Sequence, residues 1–282
     1  MLPMGLSMLW EKTEPEQALR ERFGLTGFEA AGEWVGEVLG AVWGIEAAGC
    51  GRLVISDQNA IVWMDSDRGP LVVKWSRAQG QFDRLEASTG LLRVLDERGV
   101  PVAAPIPAPD GRVRVVVDGP ACELSLAVLP EVTGDWLDVE DEDAVRAAGA
   151  CLAELHNALT GYDDDRLIHN DTRPRPTGVP GVPPLDDAKQ PVHNDFRAAN
   201  ILTRGPKIVA VLDFDELAWG HRVEDLAQAA IYLGTRFTNW QPTSPAVRRT
   251  FREGYETVRP LRPAEDRAFE PLLRWYEQHS GF

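Results

Sequence analysis

Several things are scarce in this chain of 282 residues, and each scarcity removes a class of function. It has three cysteines, Cys50, Cys122 and Cys151, odd in number and scattered without metal spacing. A disulfide framework and a cysteine-built metal site are both excluded, and a reducing cytoplasm is the expected home. No stretch approaches the roughly 18 apolar residues of a membrane span. The start, M-L-P-M-G-L-S-M-L-W-E-K, has neither a basic n-region nor a small-residue cleavage site, so no secretory signal is expected. Basic residues are also short: 29 Lys and Arg against 44 Asp and Glu leave a formal charge of −15. Nucleic-acid phosphates would be repelled by such a surface, whereas a cationic small molecule would be attracted. A glycine-rich phosphate loop is missing too.

What is present is 44% hydrophobic and 26% charged residues, the balance of a globular protein with enough chain for two cores. One stretch carries chemistry. Val192 to Glu216 reads V-H-N-D-F-R-A-A-N-I-L-T-R-G-P-K-I-V-A-V-L-D-F-D-E. It holds His193, Asp195 and Asn200 as H-x-D-x-x-x-x-N, then an apolar strand ending in Asp213-Phe214-Asp215. Phosphoryl transfer from a nucleoside triphosphate needs one carboxylate to orient the accepting hydroxyl. It also needs an amide oxygen and a second carboxylate to hold magnesium against the phosphates. Asp195, Asn200 and Asp213 supply that set from the two ends of a hairpin. Either half of the pattern alone is a common turn or loop; the two in order are specific.

Upstream, residues 14 to 22 and 28 to 43 have helical spacing and predict an N-terminal helical cap. Ile61–Met64 and Leu71–Trp75 flank D-S-D-R-G-P and predict a hairpin. Lys74 ends its second strand. Alone it is a strand-end lysine reaching for water; beside the later motif it stands where a lysine would grip phosphates. Helix 82 to 98 offers Glu86 as its partner, with Asp83 and Glu97 as competitors. Ser56 and Asn59 lie where a phosphate-covering loop belongs, without its glycines. Strands at 113 to 117 and 124 to 129 close the small sheet. Leu129-Pro130-Glu131-Val132-Thr133-Gly134 then reads as an inter-lobe hinge, with the Pro130 carbonyl and the Val132 N–H facing a purine; proline keeps the acceptor that this place requires.

Downstream, Glu142 to Leu159 is an amphipathic helix whose His156 reads as structural. Residues 161 to 191 form a long Asp-, Pro- and Gly-rich stretch expected to be a substrate-side loop or lid; His169 and Asp171 within it have no assigned role. Asp225 is expected to cap or brace the helix that runs to Leu233. Two further helices, 246 to 258 and 264 to 279, finish the chain. Asp135, Asp138, Asp215, Glu216, Glu224 and the run Asp163 to Asp165 could meet a cationic acceptor. Acids at helix starts are also ordinary solvated residues. Trp136, Trp219 and Trp240 could receive a quaternary ammonium by cation–π contact, although tryptophans more often pack.

Lys74, the L-P-E-V-T-G hinge, H-N-D-F-R-A-A-N-I-L, D-F-D and G-H-R-V-E-D-L-A together resemble the aminoglycoside phosphotransferase family of small-molecule kinases, over residues 52 to 233. The resemblance implies an α+β, bilobal, protein-kinase-like fold. Residues 1–131 would form an N-lobe with a small antiparallel sheet and helices, and residues 132–282 a mainly helical C-lobe. It implies Asp195 as catalytic base, Asn200 and Asp213 as Mg2+ ligands, Lys74 on the α- and β-phosphates held by Glu86, and Pro130 and Val132 on the purine. H-N-D-F-R-A-A-N is also similar to the catalytic loop of protein tyrosine kinases, in which an arginine two residues after the aspartate offsets γ-phosphate charge; Arg197 stands there. G-H-R-V-E-D-L-A begins seven residues after Asp213 and no A-P-E follows, which leaves no room for a peptide platform. The expectation is an ATP- or GTP-dependent kinase for a hydroxyl of a cationic acceptor, an aminoglycoside or basic-peptide antibiotic first. A metabolic kinase for choline, an amino sugar or homoserine comes second. A non-catalytic nucleotide-binding module ranks last, because Asp195, Asn200 and Asp213 are all retained. Monomer and homodimer are both open.

Overall fold

A computed structural model of the chain describes residues 4–167, 176–185, 188–236 and 241–279. It divides into two compact units: Met1–Arg93 with Ala103–Glu131, and Val94–Val102 with Val132–Phe282. The fold is mixed α+β, as the sequence leads one to expect.

The first unit contains β1 (Gly5–Met8), α1 (Pro15–Phe23), α2 (Phe28–Val38), β2 (Ala47–Ile55), β3 (Asn59–Ser66), β4 (Leu71–Ser76), most of α3 (Phe82–Glu97), β5 (Val115–Asp118) and β6 (Glu123–Pro130). Its sheet runs β1-β2-β3-β4-β6-β5. Every neighbour pair is antiparallel except β1 with β2, which is parallel. That parallel edge strand is added to the antiparallel sheet the sequence leads one to expect. A parallel return needs a crossover, and α1 and α2 supply it. Pro15 opens α1 and Gly24, at φ 73°, closes it with its N–H on the Arg20 carbonyl. The helix after Phe28 turns π-helical over Leu39–Trp43.

Alternation sorts the sheet into two faces. Leu71, Val73 and Trp75 of β4 join Leu124, Leu126 and Val128 of β6 in a core with Leu19 and Phe23 of α1 and Val35 of α2. Phe23 and Trp34 both meet the Trp75 ring edge-on, at 5.8 and 5.5 Å. Lys74 points to the opposite face, where it is directly paired with Ala127 of β6, and Ser76 with Ser125. Helix α3 lies on that same face: buried Arg114 bonds Ser125 Oγ at 2.7 Å and Thr89 Oγ1 of α3 at 3.2 Å.

The second unit holds β7 (Asp135–Trp136), α4 (Glu142–Ala158), β8 (Gln190–Val192), β9 (Ile201–Arg204), β10 (Lys207–Val211), β11 (Ala218–Gly220), α5 (Arg222–Tyr232), α6 (Pro245–Val258) and α7 (Pro263–His279). Two small sheets, β10-β9-β7 and β11-β8, sit among its helices. Asp141 caps α4, accepting from the Asp143 and Ala144 N–H groups at 3.0 and 3.1 Å. Asp138 accepts from the Glu140 N–H at 3.0 Å. Asp138 and Asp141 therefore serve a helix start. Of the stretch 161 to 191, the described parts hold a 3-10 turn at Asp165–Leu167, irregular backbone at 176–185 and strand β8. His169, Asp171 and Trp240 lie outside the described residues.

Helices α4 and α6 approach so closely that both need glycine. A Cβ on Gly149 would stand 2.0 Å from the Phe251 carbonyl oxygen, and one on Gly254 2.0 Å from that of Arg146. Glycine inside a helix ordinarily costs about 1 kcal/mol relative to alanine, so only contact can reverse the sign. Gly149→Ala is expected to destabilise the protein by about 3 kcal/mol, the scale of an overpacked core. Gly90→Ala in α3, where nothing lies within 4 Å of the added Cβ, is expected to stabilise it by about 0.5–1 kcal/mol. Urea unfolding of the two variants checks both signs.

Candidate active site

The residues of H-x-D-x-x-x-x-N are assembled in the second unit by a strand, a braced loop and a hairpin. Strand β8 pairs with β11, Val192 opposite Ala218, and delivers His193. That ring is wholly buried: it donates from Nε2 to the Leu212 carbonyl at 3.1 Å and accepts at Nδ1 from the Asp195 N–H at 3.2 Å. Phe214 meets it edge-on at 4.7 Å and Phe196 at 5.7 Å. One imidazole thus ties the Asp195 backbone to the residue preceding Asp213. Burial pushes the His193 pKa down, against weaker upward pulls from Asp225 and Asp195, in keeping with a neutral ring that accepts and donates.

Asp195 is almost fully buried, and its carboxylate is held from two sides. The Arg197 Nε–H straddles its oxygens at 3.0 and 3.1 Å, and Asn200 Nδ2 reaches Oδ2 at 2.7 Å and the Asp195 carbonyl at 2.9 Å. The resemblance implies γ-phosphate neutralisation for Arg197. In this structure its Nε serves the Asp195 carboxylate and its Nη1 the Arg236 carbonyl, at 2.8 Å. The 3-10 turn Ala198–Asn200 leans on the segment after α5, Ala198 N–H on the Leu233 carbonyl and Ala199 N–H on that of Thr235.

Across the β9–β10 hairpin, the Leu212 N–H bonds the Asn200 carbonyl at 2.8 Å, which brings Asp213 next to Asn200. Asp213 is exposed and left-handed, φ 62°. Asn194 is also at φ 62°, and among the described residues these are the two non-glycine residues with positive φ. Such backbone costs about 1–3 kcal/mol per residue and persists only where surroundings impose it.

The imposing group for Asn194 is Asp225. Sequence reasoning assigns it to the start of α5; that start is instead built by a capping box of His221 and Glu224. The Asp225 side chain, wholly buried, turns to the loop. Oδ1 accepts from the Asn194 N–H at 2.8 Å; Oδ2 accepts from the His193 N–H at 3.1 Å and from His156 Nε2 at 2.9 Å. Burial alone would raise the Asp225 pKa. The bond from His156, the two imidazoles and the Asn194 N–H outweigh it and hold the carboxyl below its usual range. His156 is structural as expected, its pKa depressed by burial despite the Asp225 bond.

Asn200 gives its amide nitrogen to Asp195, which leaves Oδ1 as a hard oxygen donor to go with the carboxylate of Asp213, whose backbone the Leu212–Asn200 hydrogen bond brings close. That pair suits Mg2+, which takes few protein ligands and completes its octahedron with phosphate and water. Among the described residues no cluster of three or more His, Cys, Asp or Glu could hold a metal, so a metal bound here would rest on this pair.

The remaining candidates fall elsewhere. Asp215 and Glu216 lie half-buried on a 3-10 turn directly after Asp213. Asp135 is exposed on β7 opposite Thr203. Trp219 sits on β11 opposite Pro191, with its Nε1 buried. Asp164, in the acidic run 163 to 165, is paired with Arg166 at 2.8 Å. In the first unit, Ser56 and Asn59 flank the tight β2–β3 turn, and the Ser56 hydroxyl is used to close it on the Asn59 carbonyl at 3.3 Å. Lys74 shares its face of the sheet with α3, which carries the exposed Glu86. The Glu131 N–H bonds Pro70 at 3.0 Å. Alternation in the ladder then turns the Pro130 carbonyl to the edge of β6 away from β4. Val132 is half-buried.

The model of the phosphotransferase enzyme family matches residues 55–178 and 167–268, well over half of the chain. The chain belongs to the phosphotransferase enzyme family. Among curated proteins, homoserine kinase of Neisseria meningitidis serogroup B (strain ATCC BAA-335 / MC58) is 26% identical over 224 residues, 65% of each chain. The match thus spans just under two thirds of that relative. Among solved structures, an amicoumacin kinase in complex with AMP-PNP, Ca2+ and Ami superposes with a TM-score of 0.64 at 15% identity, covering 89% of this chain and 86% of that one. A microcompartment-associated aminopropanol kinase gives 0.61 at 18%, covering 89% and 90%. Both share the protein-kinase-like fold with this member of the family.

The family member's buried histidines make a pH dependence. An unfolded chain protonates each ring at its ordinary 6.5, while folded His156 and His193, pushed lower, stay neutral. The unfolded state then binds more protons, so stability is full above pH 6.5 and lost as pH falls below it. Asp225, depressed from 3.8, adds a second loss below that value. Urea midpoints from pH 8 to 3 are expected to be flat to about 6.5 and then to fall in two stages; a midpoint that rises between pH 7 and 5.5 would show charged rings. Asp225→Asn, which turns an amide towards three donors, is expected to cost about 3–5 kcal/mol.

Proposed function

We propose that the chain transfers the γ-phosphoryl group of ATP or GTP to a hydroxyl of a small acceptor that also carries positive charge. One arrangement carries this reading. It is a carboxylate, Asp195, held by Asn200 and Arg197, with Asp213 set beside Asn200 by the Leu212–Asn200 hydrogen bond. Asp195 would accept a hydrogen bond from the acceptor hydroxyl and turn its lone pair towards phosphorus. The hydroxyl proton leaves to Asp195 as the new P–O bond forms and the bond to the leaving diphosphate breaks. With a loose transition state, alignment supplies most of the rate. Asn200 Oδ1 and Asp213 would hold Mg2+, which when bound neutralises charge on the phosphate oxygens. Lys74, oriented by Glu86, would hold the α- and β-phosphates. Ser56 and Asn59 would line the covering turn, and the Pro130 carbonyl and Val132 N–H would meet the base.

The charge of −15 favours a cationic acceptor, with the exposed Asp135 and the half-buried Asp215 and Glu216 as its first contacts and Trp219 beside them. An aminoglycoside or basic-peptide antibiotic fits that description, and the enzyme would then confer resistance or self-protection. A second reading, a small amino alcohol, is favoured by the likeness to a homoserine kinase. Either would take place in the cytoplasm, where Cys50, Cys122 and Cys151 remain free thiols.

Release of ADP or GDP is to be measured against a panel of aminoglycosides, basic peptides, homoserine, choline and amino sugars, with mass spectrometry for an added phosphate. Transfer to one of them is the expected result; nucleotide binding with no transfer to any acceptor or to water would leave a non-catalytic binding module. Asp195→Ala is expected to lower kcat by about 10³-fold, within the range for a lost general base, with nucleotide affinity largely kept. Asp213→Ala should instead weaken magnesium-dependent nucleotide binding in calorimetry.

A further inference from the structure

The bonds on Asp225 do not end at His156. His156 Nδ1 meets the Tyr255 hydroxyl at 2.9 Å, and Arg259 Nη1 donates to that hydroxyl at 3.2 Å. Arg259 Nη2 in turn bonds Glu265 Oε1 at 2.9 Å, while Glu265 Oε2 accepts from the Arg262 N–H at 2.9 Å. His156, Tyr255 and Glu265 are wholly buried and Arg259 is largely so. The chain runs from the Asn194 amide through α5, α4 and α6 into the turn before α7.

Its protons can be placed without seeing them. A guanidinium only donates, so the tyrosine oxygen accepts from Arg259 and its own proton must go to His156 Nδ1. His156 is then protonated at Nε2 and donates there to Asp225. Asp225 remains an acceptor on both oxygens, free to take the amides of His193 and Asn194. A doubly protonated His156 would strand the tyrosine proton between two donors. Burial also lifts the Tyr255 phenol to about 12, which keeps it a donor at neutral pH.

We propose that Arg259 and Tyr255 are positioning residues of the phosphotransfer site: the acceptor-only Asp225 sets the Nε2–H form of His156, and the donor-only Arg259 aims the Tyr255 proton at the Nδ1 lone pair, which fixes the ring where it supports the hold of Asp225 on the loop bearing Asp195. This rests on the function proposed above. With a group that can both donate and accept at position 259, the tyrosine proton can turn round towards that group. His156 Nδ1 then loses its donor, and the ring is held at Nε2 alone. The brace on left-handed Asn194 weakens, and Asp195 is the next residue. A misplacement on the order of 1 Å can cost about 10²-fold in rate.

The test uses the full chain with Arg259→Gln, Arg259→Lys and Tyr255→Phe. Long-range 1H–15N spectra of the imidazoles read the tautomer and the hydrogen bond received at Nδ1, and ADP release from MgATP with water, or with an acceptor the panel identifies, reads turnover. The wild type is expected to show His156 as the Nε2–H form. R259Q should keep the Nε2–H form, move the Nδ1 shift towards that of an unbonded lone pair and lower kcat about 10-fold, with KM for ATP within two-fold; R259K, again donor-only, should restore the Nδ1 shift and most of kcat. A wild-type Nδ1 shift and wild-type kcat in folded R259Q would overturn the proposal. If R259Q does not fold, Tyr255→Phe, which removes one oxygen, decides it: kcat within two-fold and an unmoved His156 spectrum would overturn it equally. A wild type with no transfer to water or to any acceptor of the panel would refute the functional reading, and the Nδ1 spectra would then decide the proposal by themselves.

Discussion

The second unit is organised around a buried carboxylate, that of Asp225. Asp225 accepts from two consecutive backbone amides and one imidazole. An ionised group with no water around it is tolerable only when its oxygens are filled; here each oxygen has a donor, and two of the three donors belong to the loop. The hydrogen bonds between Asp225 and the two loop amides offset both the cost of burying the charge and the cost of a left-handed Asn194. Neither feature is stable alone, and together they leave Asp195 no alternative direction.

The same economy appears on the other side of the loop. His193 bonds the backbone of Asp195 at one nitrogen and that of Leu212 at the other. Its neutral form is the only one that can do both, because accepting from an N–H requires a lone pair. A buried ring with a depressed pKa is therefore a fastener at ordinary pH. Arg197 and Asn200 then orient the Asp195 carboxylate itself. For a reaction in which positioning exceeds proton abstraction in importance, a rigidly aimed carboxylate matters more than a strongly basic one.

How much of this could be read from sequence follows from how local each feature is. Asp195, Asn200 and Asp213 are joined by one loop and one hairpin, so order and spacing reveal them. Helix α1 announces itself by Pro15 and Gly24, and α4 by Asp141, because caps are made by neighbours in the chain. Strand β1 escaped notice, since Gly5–Met8 has no alternating pattern and pairs with a partner tens of residues away. Asp225 stands 32 residues from the amide of His193 that it holds and 69 from His156. No periodicity links such groups. Only the closing of α4, α5 and α6 on one another creates the contact, and the sequence offered a more local use for Asp225 in its own helix.

That closing has its own requirement. Tyr255 lies one residue from Gly254 and four from Phe251, on the face of α6 that meets α4 at Gly149. His156 is two turns beyond Gly149 on α4. The glycines let the two backbones approach until carbonyl oxygens fill the space a methyl would take, and this same approach brings the phenol within 2.9 Å of the imidazole. A side chain at either glycine would separate the helices by roughly the width of a methyl group, more than a hydrogen bond can stretch and still bind. The close packing of two helices and the hydrogen bonding of the loop bearing Asp195 are thus one constraint: the crossing fixes the distance, the distance makes the chain from Tyr255 to Asp225, and that chain holds the loop.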